Sequence, residues 1–137
     1  MSAEKNMMQG KDDKTPASTT EIAERREQTV ALAEDLDVKV QAGAAAYVMA
    51  RSGSMAKTLS LAMAVVDIKG ALSPAIMAPL MSLQGTPLGF KTDKDSSGGY
   101  PQNIVKEATC EALIKGVPMV GNCVNIIAGR AYITKEG

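Results

Sequence analysis

Residues 38–69, VKVQAGAAAYVMARSGSMAKTLSLAMAVVDIK, constrain the fold more than any other stretch, because apolar residues recur at helical spacing on both sides of one break. Leu36, Val40, Ala44, Tyr47 and Val48 predict the inward face of one helix. Met55, Leu59, Ala62, Met63 and Val66 predict that of the next. Ser52-Gly53-Ser54 separates them, with Ser54 placed to cap the second helix. Small residues on these faces let two helices approach closely. The Met and Ala pattern is read as core rather than as a cofactor box. With one Phe, three Tyr, no Trp and nine Met, that core is made of small and adaptable contacts. A modestly stable domain is expected, or one that gains stability by assembling with copies of itself.

Around this pair the chain divides into three parts. Residues 1–17 are polar, contain Pro16 and show no periodicity, so they are expected to be a disordered leader. Residues 18–86 form a helical region. Ser18, Thr19 and Thr20 offer N-caps for a solvated amphipathic helix, EIAERREQTVALAEDL, with Glu21 in its first turn and Ile22, Val30 and Leu36 among its few large apolar residues. Gly70 is expected to close the second helix of the pair. Ser73-Pro74 then starts another, Pro79 kinks or breaks it, and Gly85 ends it.

Residues 87–137 are read as a loop, helix and strand unit. The loop GTPLGFKTDKDSSGGYP carries Phe90 and Tyr100 as aromatic anchors. The helix NIVKEATCEALIKG is expected to be capped by Asn103 and ended by Gly116, with Ile104, Val105, Ala108, Ala112 and Leu113 on its apolar face. VPMVGN makes a turn, and CVNIIAGRAYIT is expected to be one strand. Thr134 looks like the cap of a further helix begun at residues 135–137. The fold class is therefore α+β and mostly helical, a helical N-terminal half followed by part of an incomplete small β-sheet. The chain is expected to be a fragment.

Several chemistries are excluded by composition. Without His there is no Ser-His or Cys-His couple, no imidazole base and no His-containing metal site. Cys110 and Cys123 cannot make a structural zinc site alone; they are read as buried thiols, with a disulfide as the alternative. Asp93 and Asp95 lie among Lys91 and Lys94 in a loop expected to be flexible, with nothing apolar to raise a pKa. Glu107 and Glu111 share a helix face at i,i+4, the spacing of a solvated face. Neither GTPLGFKTDKD nor GNCVNIIAGR has the spacing of a phosphate-binding loop or a dinucleotide fingerprint. No enzyme, no cofactor and no metal are expected. No apolar leader and no run of about 18 apolar residues is present, so no membrane association and a cytoplasmic location are expected.

Charge is uneven. Residues 1–37 hold nine acids and five bases, a net of −4, and residues 38–137 hold ten bases and six acids, a net of +4. Phe90, Lys91, Lys94, Tyr100, Lys115, Arg130, Tyr132 and Lys135 fall in the second part. Basic residues that track phosphates and rings that stack on bases are what single-strand binding requires. A strand carrying Arg130 and Tyr132 two residues apart presents both on one face. The competing reading keeps Tyr132 inside and leaves the lysines as ordinary surface.

The order of motifs in this part resembles phage-encoded RecT-like single-strand DNA annealing proteins. The similar features are LGFKTD at 88–93, Tyr100-Pro101, Gly116-Val117, Gly121-Asn122, NIIAG at 125–129 and TKEG at 134–137. The resemblance implies a recombination protein that coats single strands and pairs complementary ones without ATP in a bacterial host. It implies a ring or filament of copies around a basic groove, with a phage exonuclease or a host single-strand-binding protein as possible partners. By the same resemblance Arg130 and Lys135 would face phosphates, and Asn125 and Tyr132 would touch backbone or bases. Lys91, Lys94 and Lys115 complete the expected DNA-binding set. The alternative is a helical interaction or virion-associated structural protein that binds no nucleic acid, its Ala- and Met-rich helices serving as an assembly surface.

Overall fold

The computed structural model describes residues 19–134. The expected leader, the Ser18 cap, the helix start at 135–137 and Lys135 lie outside the described residues. The described elements are the helices α1 (Thr19–Ala50), α2 (Met55–Ala71), α3 (Pro74–Met81) and α4 (Gln102–Ile114), and the strands β1 (Lys91–Thr92), β2 (Val124–Ile127) and β3 (Arg130–Ile133). This is an α+β, mostly helical fold with a small mixed sheet.

The described residues fall into two units, 19–30 and 31–134. In the first, residues 19–30 are helical and exposed apart from the half-buried Thr29. The two helices expected on either side of residue 37 are one helix of 32 residues. No Gly or Pro interrupts it there, and Asp35 pairs with Lys39 at 3.3 Å across the expected junction. An acid four residues before a base is the favourable order along a helix.

In the second unit the break at Ser52-Gly53-Ser54 is where it was expected. Gly53 takes φ 96°, and Ser54 caps α2 by accepting the Lys57 N–H at 3.1 Å. The two helices approach at small residues. A Cβ added to Gly43 would lie 3.1 Å from Ile68 Cδ1 and 3.4 Å from the Ala64 Cβ.

The inward faces differ from the expected ones. On α1, Leu36 is buried and Val40 and Tyr47 are half-buried, but Gly43 and Ala46 replace Val48, which is 66% exposed. On α2 the expected face points to solvent: Met55, Leu59, Met63 and Val66 are 57–70% exposed. Leu61, Val65, Ile68 and Leu72 face inward instead. The helix is apolar nearly all round, so spacing alone leaves two faces open, and tertiary packing selects the one bearing Ile68 and Leu72.

Helix α3 starts at Ser73-Pro74 as expected, with the Ile76 and Met77 N–H groups donating to the Ser73 carbonyl. It ends two residues beyond Pro79. The N-cap of α4 is Pro101, and Asn103 lies inside the helix. At the other end Gly116 (φ 75°) closes α4: the Gly116 N–H donates to Leu113 and the Val117 N–H to Ala112, the paired bonds of a Schellman motif. Phe90, Ile68, Leu72, Met77, Ile126, Val105 and Val124 are the largest fully buried side chains, each worth roughly 1.5–3 kcal/mol on burial.

The single strand expected at 123–134 is a hairpin. Ala128 and Gly129 both take positive φ, 54° and 77°, the two-residue turn that matches strand twist. The sheet order is β1-β2-β3, with β1 parallel and β3 antiparallel to β2. Thr134 extends the pairing, its N–H donating to the Cys123 carbonyl at 3.0 Å.

Candidate nucleic-acid interface

The interface is built by register. Val124 and Ile126 are fully buried, so one face of the sheet meets the core and the alternate residues form the other face. Lys91 pairs with Asn125, and Asn125 with Tyr132; Ile127 pairs with Arg130. Residues paired across strands share a face, so Lys91, Asn125 and Tyr132 form one row and Arg130 stands in the next. Lys91 and Arg130 are exposed, and Tyr132 is 48% exposed. The outer face thus offers two cations, a ring and a carboxamide. The Asn125 Oδ1 is buried without a hydrogen-bond partner.

The loop over residues 82–101 supports this face and is tied down rather than flexible. Gln84 clamps Tyr100, its Oε1 accepting the Tyr100 N–H at 2.7 Å and its Nε2 donating to the Tyr100 carbonyl at 3.2 Å. Asp95 accepts the N–H and hydroxyl of Thr92 at 3.0 and 2.8 Å, which folds the end of β1. The Gly121 and Asn122 N–H groups donate to Leu88 and Gly89. Phe90 is fully buried, so it serves the core and is not available for stacking.

Asp93 and Tyr100 hold the hairpin turn. The Tyr100 hydroxyl donates to the Asp93 carboxylate and accepts the Gly129 N–H at 3.0 Å, and the other Asp93 oxygen accepts the Ala128 N–H at 3.2 Å. The Tyr100 hydrogen bond draws the Asp93 pKa below its ordinary value, opposed by burial and aided to a lesser degree by the Ala128 N–H; its carboxylate in turn raises that of Tyr100. These bonds over-determine a non-glycine residue at positive φ, which otherwise costs about 1–3 kcal/mol. They also set where Arg130 leaves the turn. Asp93 and Asp95 are therefore each engaged in local structure, not in a dyad.

A cleft of about 730 Å³ runs beside β3, lined by α1, α2, α4 and the hairpin. Arg130 and Tyr132 stand at it, together with Lys115, Lys69 and Tyr47. Lys115 is paired with Glu111 at 2.7 Å, and Lys69 with Glu107 at 2.8 Å. The hydrogen bond to its glutamate raises the pKa of each lysine. Both glutamates thus have a cation partner, and Lys115 is a half-neutralised cation rather than a free one. Cys110 is buried at the cleft, where burial pushes its thiol pKa up; Cys110 and Cys123 form no disulfide.

Of the expected set, the sheet brings together Lys91, Asn125, Arg130 and Tyr132. Lys94 is exposed in the turn after β1, and Lys115, at the end of α4, is not on the sheet face but lines the cleft with Arg130 and Tyr132. Sequence reading missed Lys69 and Tyr47 at the cleft and the supporting role of Asp93 and Tyr100. The Tyr100–Gly129 bond spans 29 residues and the Asp93–Ala128 bond spans 35, and no local pattern signals either. Among the described residues no group of three or more Cys, Asp or Glu side chains is arranged to hold a metal ion, and no single helix is long and apolar enough to cross a membrane. No family model, curated protein or solved structure matches the chain.

Proposed function

We propose that this protein binds single-stranded DNA on the outer face of its sheet and anneals complementary strands without ATP. The observation that carries the reading is the cross-strand row Lys91, Asn125 and Tyr132 with Arg130 beside it. Lys91 and Arg130 are exposed cations on opposite edge strands of the face, and Tyr132, on the same strand as Arg130, is the stacking platform beside it. A phosphate backbone crossing the sheet would meet both cations, and a base would meet the ring. Asn125 stands in the row between Lys91 and Tyr132.

Annealing follows from binding one face only. Phosphates and stacked rings hold a strand without covering every base edge, so a complementary strand can pair on the open side. Coating a strand takes several copies, in a ring or filament, and a phage exonuclease or host single-strand-binding protein would supply the strands. The test is fluorescence anisotropy of a labelled oligonucleotide over a salt series. Binding at low salt that weakens with a log–log slope near −1.4, for two phosphates at about 0.7 each, is expected. No binding at 20 mM salt would refute the proposal.

A further inference from the structure

The outward face of α2 serves neither the core nor the sheet. Met55, Leu59, Met63 and Val66 are 68%, 57%, 63% and 70% exposed, and Ala62 is exposed among them. Met55, Leu59, Ala62 and Val66 follow one another at intervals of four, three and four residues. That is the spacing of a seam made for another helix. Isolated exposed apolar residues are ordinary, but a contiguous stripe along a helix of 17 residues is not.

We propose that this stripe docks a second copy of the same chain, α2 against α2, antiparallel about a two-fold axis. A two-fold contact requires one patch to be complementary to itself, which an uncharged seam of alternating large and small side chains satisfies. Antiparallel overlap places Met55 of one copy opposite Val66 of the other, and Leu59 opposite Ala62, so large meets smaller at each level.

Charge selects the same arrangement. Asp67, at the border of the stripe, is exposed and makes no ion pair among the described residues. Antiparallel overlap brings it to the N-terminal end of the other α2, beside Ser54, where the helix dipole favours a negative charge. A parallel pair would set the two Asp67 side chains side by side. A lipid surface is the poorer occupant, because helices lying on membranes carry basic residues along the rim. Here the rim holds Asp67, while Lys69 is engaged by Glu107 and Lys57 is half-buried.

A helix of this length is about 25 Å long and about 10 Å wide. One such face is well short of the roughly 800 Å² per partner of a standard interface. Association is therefore reversible, with dissociation at micromolar concentrations. The surface is separate from the sheet face, so this inference and the proposed DNA binding stand or fall apart.

The test is sedimentation of the full chain from 5 to 500 µM, alone and with Leu59→Lys or Val66→Lys, with circular dichroism recorded on each. Each lysine enters the contact twice by symmetry, and at least a tenfold weaker dimer is expected with an unchanged helical spectrum. As a milder probe, Leu59→Cys and Ala62→Cys chains are oxidised separately and mixed, with the parent chain as control. The mixed pair is expected to cross-link faster than either alone. A monomer at every concentration, lysine variants that dimerise like the parent, or faster cross-linking of Leu59→Cys with itself would each overturn the proposal. So would binding of the parent to anionic vesicles that the lysine variants lose while remaining monomeric.

Discussion

Phe90 and Tyr132 both count as aromatic residues of a basic segment, yet their environments give them opposite expected phenotypes. Phe90 has no exposed surface and lies in the main cluster with Ile68, Leu72, Met77 and Val105. Removing its ring leaves a cavity as well as losing transfer energy, so Phe90→Ala is expected to cost about 3–5 kcal/mol. Against a total of about 5–15 kcal/mol, that loss leaves the chain partly or wholly unfolded. Phe90→Leu is the readable variant, with an expected cost of about 1–2 kcal/mol. Because the chain has no Trp, urea unfolding is followed by far-ultraviolet circular dichroism. A lower midpoint with an unchanged slope is expected, since the change is in stability and not in the surface exposed. Oligonucleotide affinity of Phe90→Leu, measured at a temperature where it is fully folded, should match the parent within twofold. A Phe90→Ala chain within about 0.5 kcal/mol of the parent would refute the buried placement. Lost affinity in a fully folded Phe90→Leu would refute the division between core ring and stacking ring.

Tyr132→Ala should leave the unfolding midpoint nearly unchanged and weaken oligonucleotide binding by about 5- to 150-fold, since one stacked base is worth about 1–3 kcal/mol; anisotropy reads it directly. Arg130→Gln and Lys91→Gln should each reduce the salt slope by about 0.7, whereas Lys115→Gln, whose charge is shared with Glu111, should change it less. Gly89→Ala would set a Cβ 2.4 Å from the Leu83 carbonyl oxygen, so a clear fall in melting temperature is expected by calorimetry. The Asp93 pKa is depressed in the folded chain, so its contribution to stability is complete above the ordinary carboxylate value and is lost as pH falls through the folded one. Amide exchange at Gly129 should therefore lose protection on acidification below about pH 4. In Asp93→Asn that pH dependence should be absent.

What the local sequence settles is some of the places where helices start and stop. Ser54 caps α2, Ser73-Pro74 starts α3 and Gly116 ends α4, because caps, φ restrictions and orphan backbone groups are matters of neighbouring residues. The fold class follows, since so much of the chain is helical by spacing and a small β-rich tail remains. Leu36, Val40 and Tyr47 were legible as inward residues for the same reason.

The candidate site was legible as a list of residue types and not as a surface. Lys91, Asn125, Arg130 and Tyr132 become one face only through the pairing of β1 and β3 with β2, contacts between residues distant in the chain. The hairpin that carries Arg130 depends on Asp93 and Tyr100 reaching its turn from an earlier loop. The face of α2 was decided the same way. A helix apolar nearly all round offers two stripes at helical spacing, and only packing against Gly43 and α4 made one of them core. Backbone chemistry and helical period act over four residues, so they place elements. Burial and pairing act across the whole fold, so they decided which stripe of α2 faces solvent and which side chains share the sheet.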